Sequence, residues 1–139
     1  MIWRCLVLGC LLQASAWGQD FLIVTSTDTR IESLSRFQLR EIYLGKLKSV
    51  EGVVLRPVQV KRKDHLRKSF ERFVFSDRFD VNEYWLITKL QGGPDPPLTV
   101  NGWGLVLAYT SRNPGFVGYI PADKESELGK YGLKVIALR

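Results

Sequence analysis

The stretch "LSRFQLREIYLGKLKSVEGVVLRPV", from Leu34 to Val58, encodes a helix followed by a strand region. Ser35 with Gln38 three residues later forms a capping-box pattern, which predicts that a helix begins there. Gly45 is suited to end that helix, because glycine adopts the left-handed conformation common after a last helical turn. The β-rich run "VVLRPVQVK" then predicts a second strand region, which Pro57 would break.

The predicted helix is apolar on two sides. Leu39, Ile42 and Tyr43 form one apolar face, and Phe37 and Leu44 are expected on the opposite side. A helix of this kind is either sandwiched in the core or in contact with a partner. Phe37 and Leu44 are therefore the candidate interaction face, for another subunit or an envelope partner.

Outward from this stretch, predicted strands and helices alternate. The strands are "DFLIVTS" (Asp20 to Ser26), "LTV", "GFVGYIP" and "GLKVIAL"; the helices run from Asp64 to about Phe75, from Val81 to Leu90, and from an Asn101 cap to Asn113. This alternation favours one α/β domain with about five strands in a mixed, mainly parallel sheet and helices on both faces. The length of 139 residues also suits one domain.

The first 18 residues, "MIWRCLVLGCLLQASAWG", have the pattern of a secretory signal peptide: a basic start, a short apolar run and a small-residue exit. A buried N-terminal helix is the alternative. Lipid anchoring at Cys10 ranks below simple cleavage, because further apolar residues follow it. Cleavage would leave a periplasmic or secreted domain over residues 19–139, with neither cysteine and no membrane span.

Several pieces together resemble phosphate-type periplasmic solute-binding proteins. The stretch from Leu34 to Val58 resembles a segment that precedes their second phosphate-binding loop, and "NPGFVGYIP" resembles a motif near the end of that lobe. The matching positions are Leu34, Leu39, Ile42, Tyr43, Gly45, Gly52, Pro57, Pro114, Gly115, Gly118 and Tyr119. The resemblance implies a short relative consisting of a single three-layer lobe of the type 2 periplasmic-binding fold, related to phosphate ABC transporter substrate-binding proteins.

The sequence departs from that family where the ligand cradle would be. The family has an arginine and then Ser-Gly-Thr at a helix start, whereas this chain has "KRKDHLRKSF". Arg62 can stand for the arginine. Asp64, His65 and Leu66 replace the small hydroxyl cradle, and Asp64 is a good N-cap that would occupy donors an anion needs.

The basic run from Lys61 to Arg72 has three interpretations. It could be the solvated face of a helix, with ion pairs between Asp64 and Lys68 and between Arg67 and Glu71. It could attract an anion or an acidic partner. Nucleic-acid binding is not expected, because the nearby phenylalanines are predicted to face the core and could not stack on bases.

A second polar group follows the first predicted strand. Thr25, Ser26 and Thr27 end that strand, and ligands of open α/β sheets gather at strand carboxyl ends. With Arg62 as the charge partner and His65 as an edge donor, these hydroxyls are the candidate site for phosphate or another small oxyanion. The alternative is an ordinary hydrogen-bonded turn.

Catalytic and metal chemistry find little support in the sequence. His65 is the single histidine, so no histidine-based metal cluster is expected. Nucleophile-elbow, P-loop and dinucleotide patterns are missing from the sequence. The sequence thus predicts a solute-binding-like protein without catalytic residues or cofactors, with at most weak oxyanion affinity linked to ABC-type uptake. The alternative is a non-catalytic interaction module that docks onto an envelope complex or onto itself.

Overall fold

The computed structural model describes residues 20–139, so the predicted signal peptide and Cys10 lie outside the described part. The strands are β1 (Phe21–Ser26), β2 (Ser33–Leu34), β3 (Ser49–Val50), β4 (Val53–Val54), β5 (Arg56–Val60), β6 (Leu98–Val100), β7 (Phe116–Pro121), β8 (Leu133–Val135) and β9 (Ala137–Leu138). The helices are α1 (Arg36–Tyr43), α2 (His65–Val74), α3 (Val81–Leu90), α4 (Trp103–Arg112) and α5 (Leu128–Tyr131), with a 3-10 segment at Ala122–Glu127.

The main sheet has five strands in the order β6-β5-β7-β1-β8. Strand β5 runs parallel to both β6 and β7. Strand β1 runs antiparallel to β7 and to β8, so four strands share one direction and β1 opposes them. This arrangement confirms the predicted mixed, mainly parallel sheet.

Helices cover both faces of the sheet. On one face, Phe70 of α2 stacks on Tyr119 of β7 with ring centroids 4.1 Å apart, and Tyr43 of α1 lies 4.6 Å from Phe70. On the other face, Gly118 of β7 lets Val106 of α4 approach closely. The three-layer lobe predicted from the sequence is therefore present.

Two strand predictions need correction. Pro57 does not break the second strand region but lies inside β5, where it pairs with Val117 of β7. Pairing of β5 with β6 starts only at Val58, so the missing N–H of Pro57 removes no hydrogen bond from that ladder. The last predicted strand is divided at Ile136: β8 joins the main sheet, while β9 pairs with β2 in a separate parallel ribbon.

Within residues 20–139, no helix combines the length and apolar character needed to cross a bilayer.

Helix α1 confirms the capping box but not the second apolar side. The Ser35 side chain accepts from the Gln38 N–H, and the Gln38 side chain accepts from the Ser35 N–H. Phe37 is 67% exposed, whereas Leu44 is fully buried. Leu44 lies one residue past the helix, where helical spacing no longer sets the direction of a side chain, so it cannot belong to an exposed interaction face.

Candidate functional site

The strand directions place the five predicted anion-binding residues at opposite ends of the sheet. Thr25 of β1 pairs with Val117, and Pro57 of β5 pairs with the same residue on the other side. Arg62 lies beyond Val60, at least three residues or roughly 10 Å further along β5. The hydroxyls of Thr25 to Thr27 therefore do not meet Arg62 and His65, which corrects the expectation of one combined site.

Of the three strand-end hydroxyls, those of Thr25 and Ser26 are used within the protein, while Thr27 is exposed. The buried Thr25 hydroxyl lies 2.8 Å from the Phe116 carbonyl oxygen and 3.0 Å from the Thr29 hydroxyl. The Thr29 hydroxyl in turn accepts from the N–H of Gly115 at 2.9 Å. Ser26 is also buried, and its side chain accepts from the N–H of Asp28 at 3.2 Å. These contacts fasten the turn after β1 to the start of β7, as the ordinary-turn alternative predicted.

Arg62 and His65 do lie together at the carboxyl end of the sheet, where the parallel strands β5, β6 and β7 finish. A turn closed by the Asp64 N–H on the Lys61 carbonyl, at 2.9 Å, carries the chain from β5 into α2. The Asp64 carboxylate accepts from the Leu66 N–H at 2.9 Å, so the predicted N-cap is confirmed. Arg62 and His65 are both exposed beside this cap.

The basic run divides into a structural part and a free part. Arg67 is buried, pairs with Glu71 at 2.7 Å as expected, and donates to the Val60 carbonyl at 3.3 Å. The other expected pair, Asp64 with Lys68, does not form. Within residues 20–139, the exposed cations Lys61, Arg62, Lys63 and Lys68 make no ion pair, so their charge is available to a ligand.

Two buried tyrosines hold β5 in place behind this basic turn. The Tyr43 hydroxyl lies 2.8 Å from the Val58 carbonyl oxygen and 3.2 Å from that of Val117, bridging β5 and β7. The Tyr119 hydroxyl accepts from the Val60 N–H at 3.3 Å. Burial raises the pKa of Tyr43 well above its usual value, with a further contribution from Tyr119, and burial likewise raises the pKa of Tyr119. Both hydroxyls are therefore neutral structural groups at neutral pH.

These raised pKa values predict a loss of stability at alkaline pH. Tyrosines in the unfolded chain lose their protons near pH 10, while Tyr43 in the folded protein keeps its proton. The contribution of Tyr43 to the free energy of unfolding is therefore fully present below about pH 10 and is lost as the pH rises above it. Above about pH 10, each such tyrosine should lower the free energy of unfolding by about 1.4 kcal/mol per pH unit. Urea unfolding from pH 8 to 11.5 measures this slope, and Tyr43→Phe should flatten it; an unchanged slope in the variant would contradict the assignment.

A second helix starts at the same end of the sheet, which the sequence interpretation did not connect with Arg62. Helix α4 begins at Trp103, directly after β6, and no side chain caps it. The expected Asn101 cap is not used: Gly102 occupies the cap position with φ 110°. The Lys124 ammonium lies 5.5 Å from the Trp103 ring, which places another cation nearby. The start of α4 lies near Arg62 because β6 runs parallel to β5, and the direction of β6 could not be established from the sequence.

The described residues hold no group of three or more histidine, cysteine or acidic side chains placed to bind a metal ion. The candidate site is the exposed basic surface of the β5–α2 turn, with the uncapped start of α4 beside it. Exposed cations without an enclosing cradle attract anions only weakly, because water and salt screen their charge.

Structural comparison finds the same fold in phosphate receptors. The chain superposes on PstS from Borrelia burgdorferi with a TM-score of 0.69 at 18% identity, covering 86% of this chain and 47% of that one. An ABC-type phosphate transport receptor from Vibrio cholerae gives a TM-score of 0.62 at 20% identity, covering 86% of this chain and 46% of that one. No protein-family model and no curated protein sequence matches this chain.

The chain thus spans about half the length of the receptors it resembles. At these identities the likeness shows a shared fold, and it confirms the lobe architecture predicted from the sequence. What those receptors bind is a property of those proteins.

Proposed function

We propose that this protein is an exported, non-catalytic solute-binding lobe that holds a small oxyanion of the phosphate class weakly, with Arg62 as its principal charge, in support of ABC-type uptake. The observation that carries the proposal is the position of Arg62: exposed and without an ion pair in residues 20–139, at the carboxyl end of a sheet whose fold is shared with phosphate receptors.

The affinity should be low for a structural reason. An anion at a helix start needs free N–H donors, and the Asp64 carboxylate already accepts from the first turn of α2. Asp64 also places a negative charge beside the site. Arg62 supplies a planar, bidentate donor for an oxyanion, and Lys61 and Lys63 add charge that salt will screen. A dissociation constant of about 1 mM, equivalent to about −4 kcal/mol, is the expected scale.

Titration of inorganic phosphate into the purified protein, followed by calorimetry and by amide NMR shifts, tests this proposal. Arg62→Gln should weaken binding at least tenfold, because it removes the charge and the fork of donors. Arg30→Gln is the matched control, since Arg30 is exposed but follows β1, at the other end of the sheet. Ser26→Ala should also leave binding unchanged, and His65→Ala should weaken it only a few fold.

A phosphate concentration of ~10 mM is tenfold above the expected dissociation constant, so most of the protein should then be in the bound state. The absence of binding heat and of NMR shifts at that concentration would refute the proposal. Equal weakening by Arg62→Gln and Arg30→Gln would refute the assigned position instead, because it would show attraction to net charge alone.

A further inference from the structure

Helix α3 presents an apolar face to solvent. Its exposed side chains include Leu86, Ile87 and Leu90, which are 60%, 45% and 78% exposed. The opposite face of the helix is only half-buried, and none of its residues is fully buried. Three large aliphatic side chains grouped on one helix face differ from the single exposed apolar residues that are normal on protein surfaces.

A groove adjoins this face. It has a volume of about 510 Å³ and lies between α3, the loop 92–96 and Arg62. Leu86 and Lys89 line it from the helix, together with Trp85. The apolar face and the groove therefore share Leu86 and form one continuous surface, which we call the α3 surface.

The loop that walls the groove is held against the helix. The Gly93 N–H donates to the Thr88 carbonyl at 2.9 Å, and Gly93 lies so close to Thr88 that a Cβ would fall 2.7 Å from its methyl carbon. Pro94 packs near Gly45 at the end of α1. The groove is thus formed without a partner, which lowers the ordering cost of binding.

The charges of the α3 surface indicate the chemistry of its partner. Arg62 and Lys89 line the groove, and neither makes an ion pair within residues 20–139. Asp95 is the one acidic residue in the lining. The groove therefore attracts carboxylates, while the neighbouring leucines and isoleucine favour apolar side chains.

We infer that the α3 surface docks a protein segment in which apolar side chains alternate with carboxylates. The apolar side chains would cover Leu86, Ile87 and Leu90, and a carboxylate would meet Arg62 and Lys89 in the groove. The concave shape of the groove favours an inserted chain segment over a flat lipid surface. This inference does not depend on phosphate binding.

Selection from a phage-displayed library of random dodecapeptides, with the full chain as bait, tests the inference. Selected peptides should be enriched in aspartate and glutamate beside leucine, isoleucine or phenylalanine. Synthetic versions should bind with dissociation constants of about 10–100 μM, the range of a small interface. Leu90→Asp should weaken them at least tenfold, and Lys89→Glu should shift the selection toward basic peptides.

Leu105→Asp is the matched control, because Leu105 is a 43% exposed leucine on α4, outside the α3 surface. Thermal unfolding confirms that each variant is folded. The inference is overturned if no peptide class is enriched, if Leu105→Asp weakens binding as much as Leu90→Asp, or if phosphatidylglycerol vesicles bind the protein while the peptides do not. Phosphate affinity should be unchanged in Leu90→Asp. A failure of peptide docking on the α3 surface can therefore be distinguished from a failure of phosphate binding.

Discussion

Replacing Phe70 with alanine should destabilise the protein by about 3–5 kcal/mol, the usual cost of removing a buried aromatic side chain. Phe70 is 1% exposed and stacks on Tyr119 with an interplanar angle of 9°. It also contacts Phe21 of β1, at 5.4 Å between ring centroids, and Tyr43 of α1. Its removal opens a cavity where both helices of this face meet the sheet. Urea denaturation, with the free energy extrapolated to water, measures the loss.

Phe37→Ala is the matched control for this substitution. It deletes the same atoms from the same residue type, but at a side chain that is 67% exposed on α1. Its effect should stay within about 0.5 kcal/mol, as for most surface substitutions. A loss below ~1 kcal/mol for Phe70→Ala, or equal losses for the two variants, would contradict the packing described for α2.

Some elements could be predicted from the sequence because their signals are local. Ser35 and Gln38 form the capping box that begins α1, and Asp64 caps α2. The bounds of α3 agree with the prediction at both ends, since Asp80 caps one end and Gln91-Gly92 follows the other. In each case the residues that fix the boundary lie within four positions of it.

The direction of β1 could not be predicted in this way. Whether Thr25 lies near Arg62 depends on the pairing of β1 with β7, about 90 residues later in the chain, and nothing in "DFLIVTS" specifies it. The exposed position predicted for Leu44 is wrong because the helix ends at Tyr43, so helical spacing does not apply to Leu44. Errors of this kind arise where tertiary contacts, rather than local preferences, decide the position of a side chain.

The candidate site was predictable only in part, for the same reason. Arg62, His65 and the Asp64 cap are neighbours in sequence, and the structure keeps them together. The presence of Lys124 beside Trp103, in contrast, depends on how the segment after β7 packs against the start of α4. Of the two ion pairs expected in the basic run, Arg67 with Glu71 forms and Asp64 with Lys68 does not. Lys124, in the 3-10 segment after β7, could not be connected with this region from the sequence.

Gly115→Ala should destabilise the protein by about 2–4 kcal/mol, because two penalties coincide at this position. Gly115 has φ +93°, which residues with a Cβ rarely adopt. An added Cβ would also lie 2.6 Å from the backbone carbonyl oxygen of Val54, which cannot move as a flexible side chain could. The Gly115 N–H donates to Thr29 and its carbonyl accepts from Arg56, so a shift here loosens the starts of both β5 and β7.

Two glycine substitutions separate these penalties. Gly52 has φ +79° but nothing within 4 Å of an added Cβ, so Gly52→Ala should show the conformational cost alone, about 1–2 kcal/mol. Gly104 lies in α4 with open space around it and without a positive φ, so Gly104→Ala should be neutral or stabilising by up to about 1 kcal/mol. The three free energies of unfolding should therefore fall in the order Gly104→Ala, Gly52→Ala, Gly115→Ala. If Gly115→Ala costs no more than Gly52→Ala, the close approach of Val54 does not constrain this turn, and the junction between β5 and β7 must be looser than the distances indicate.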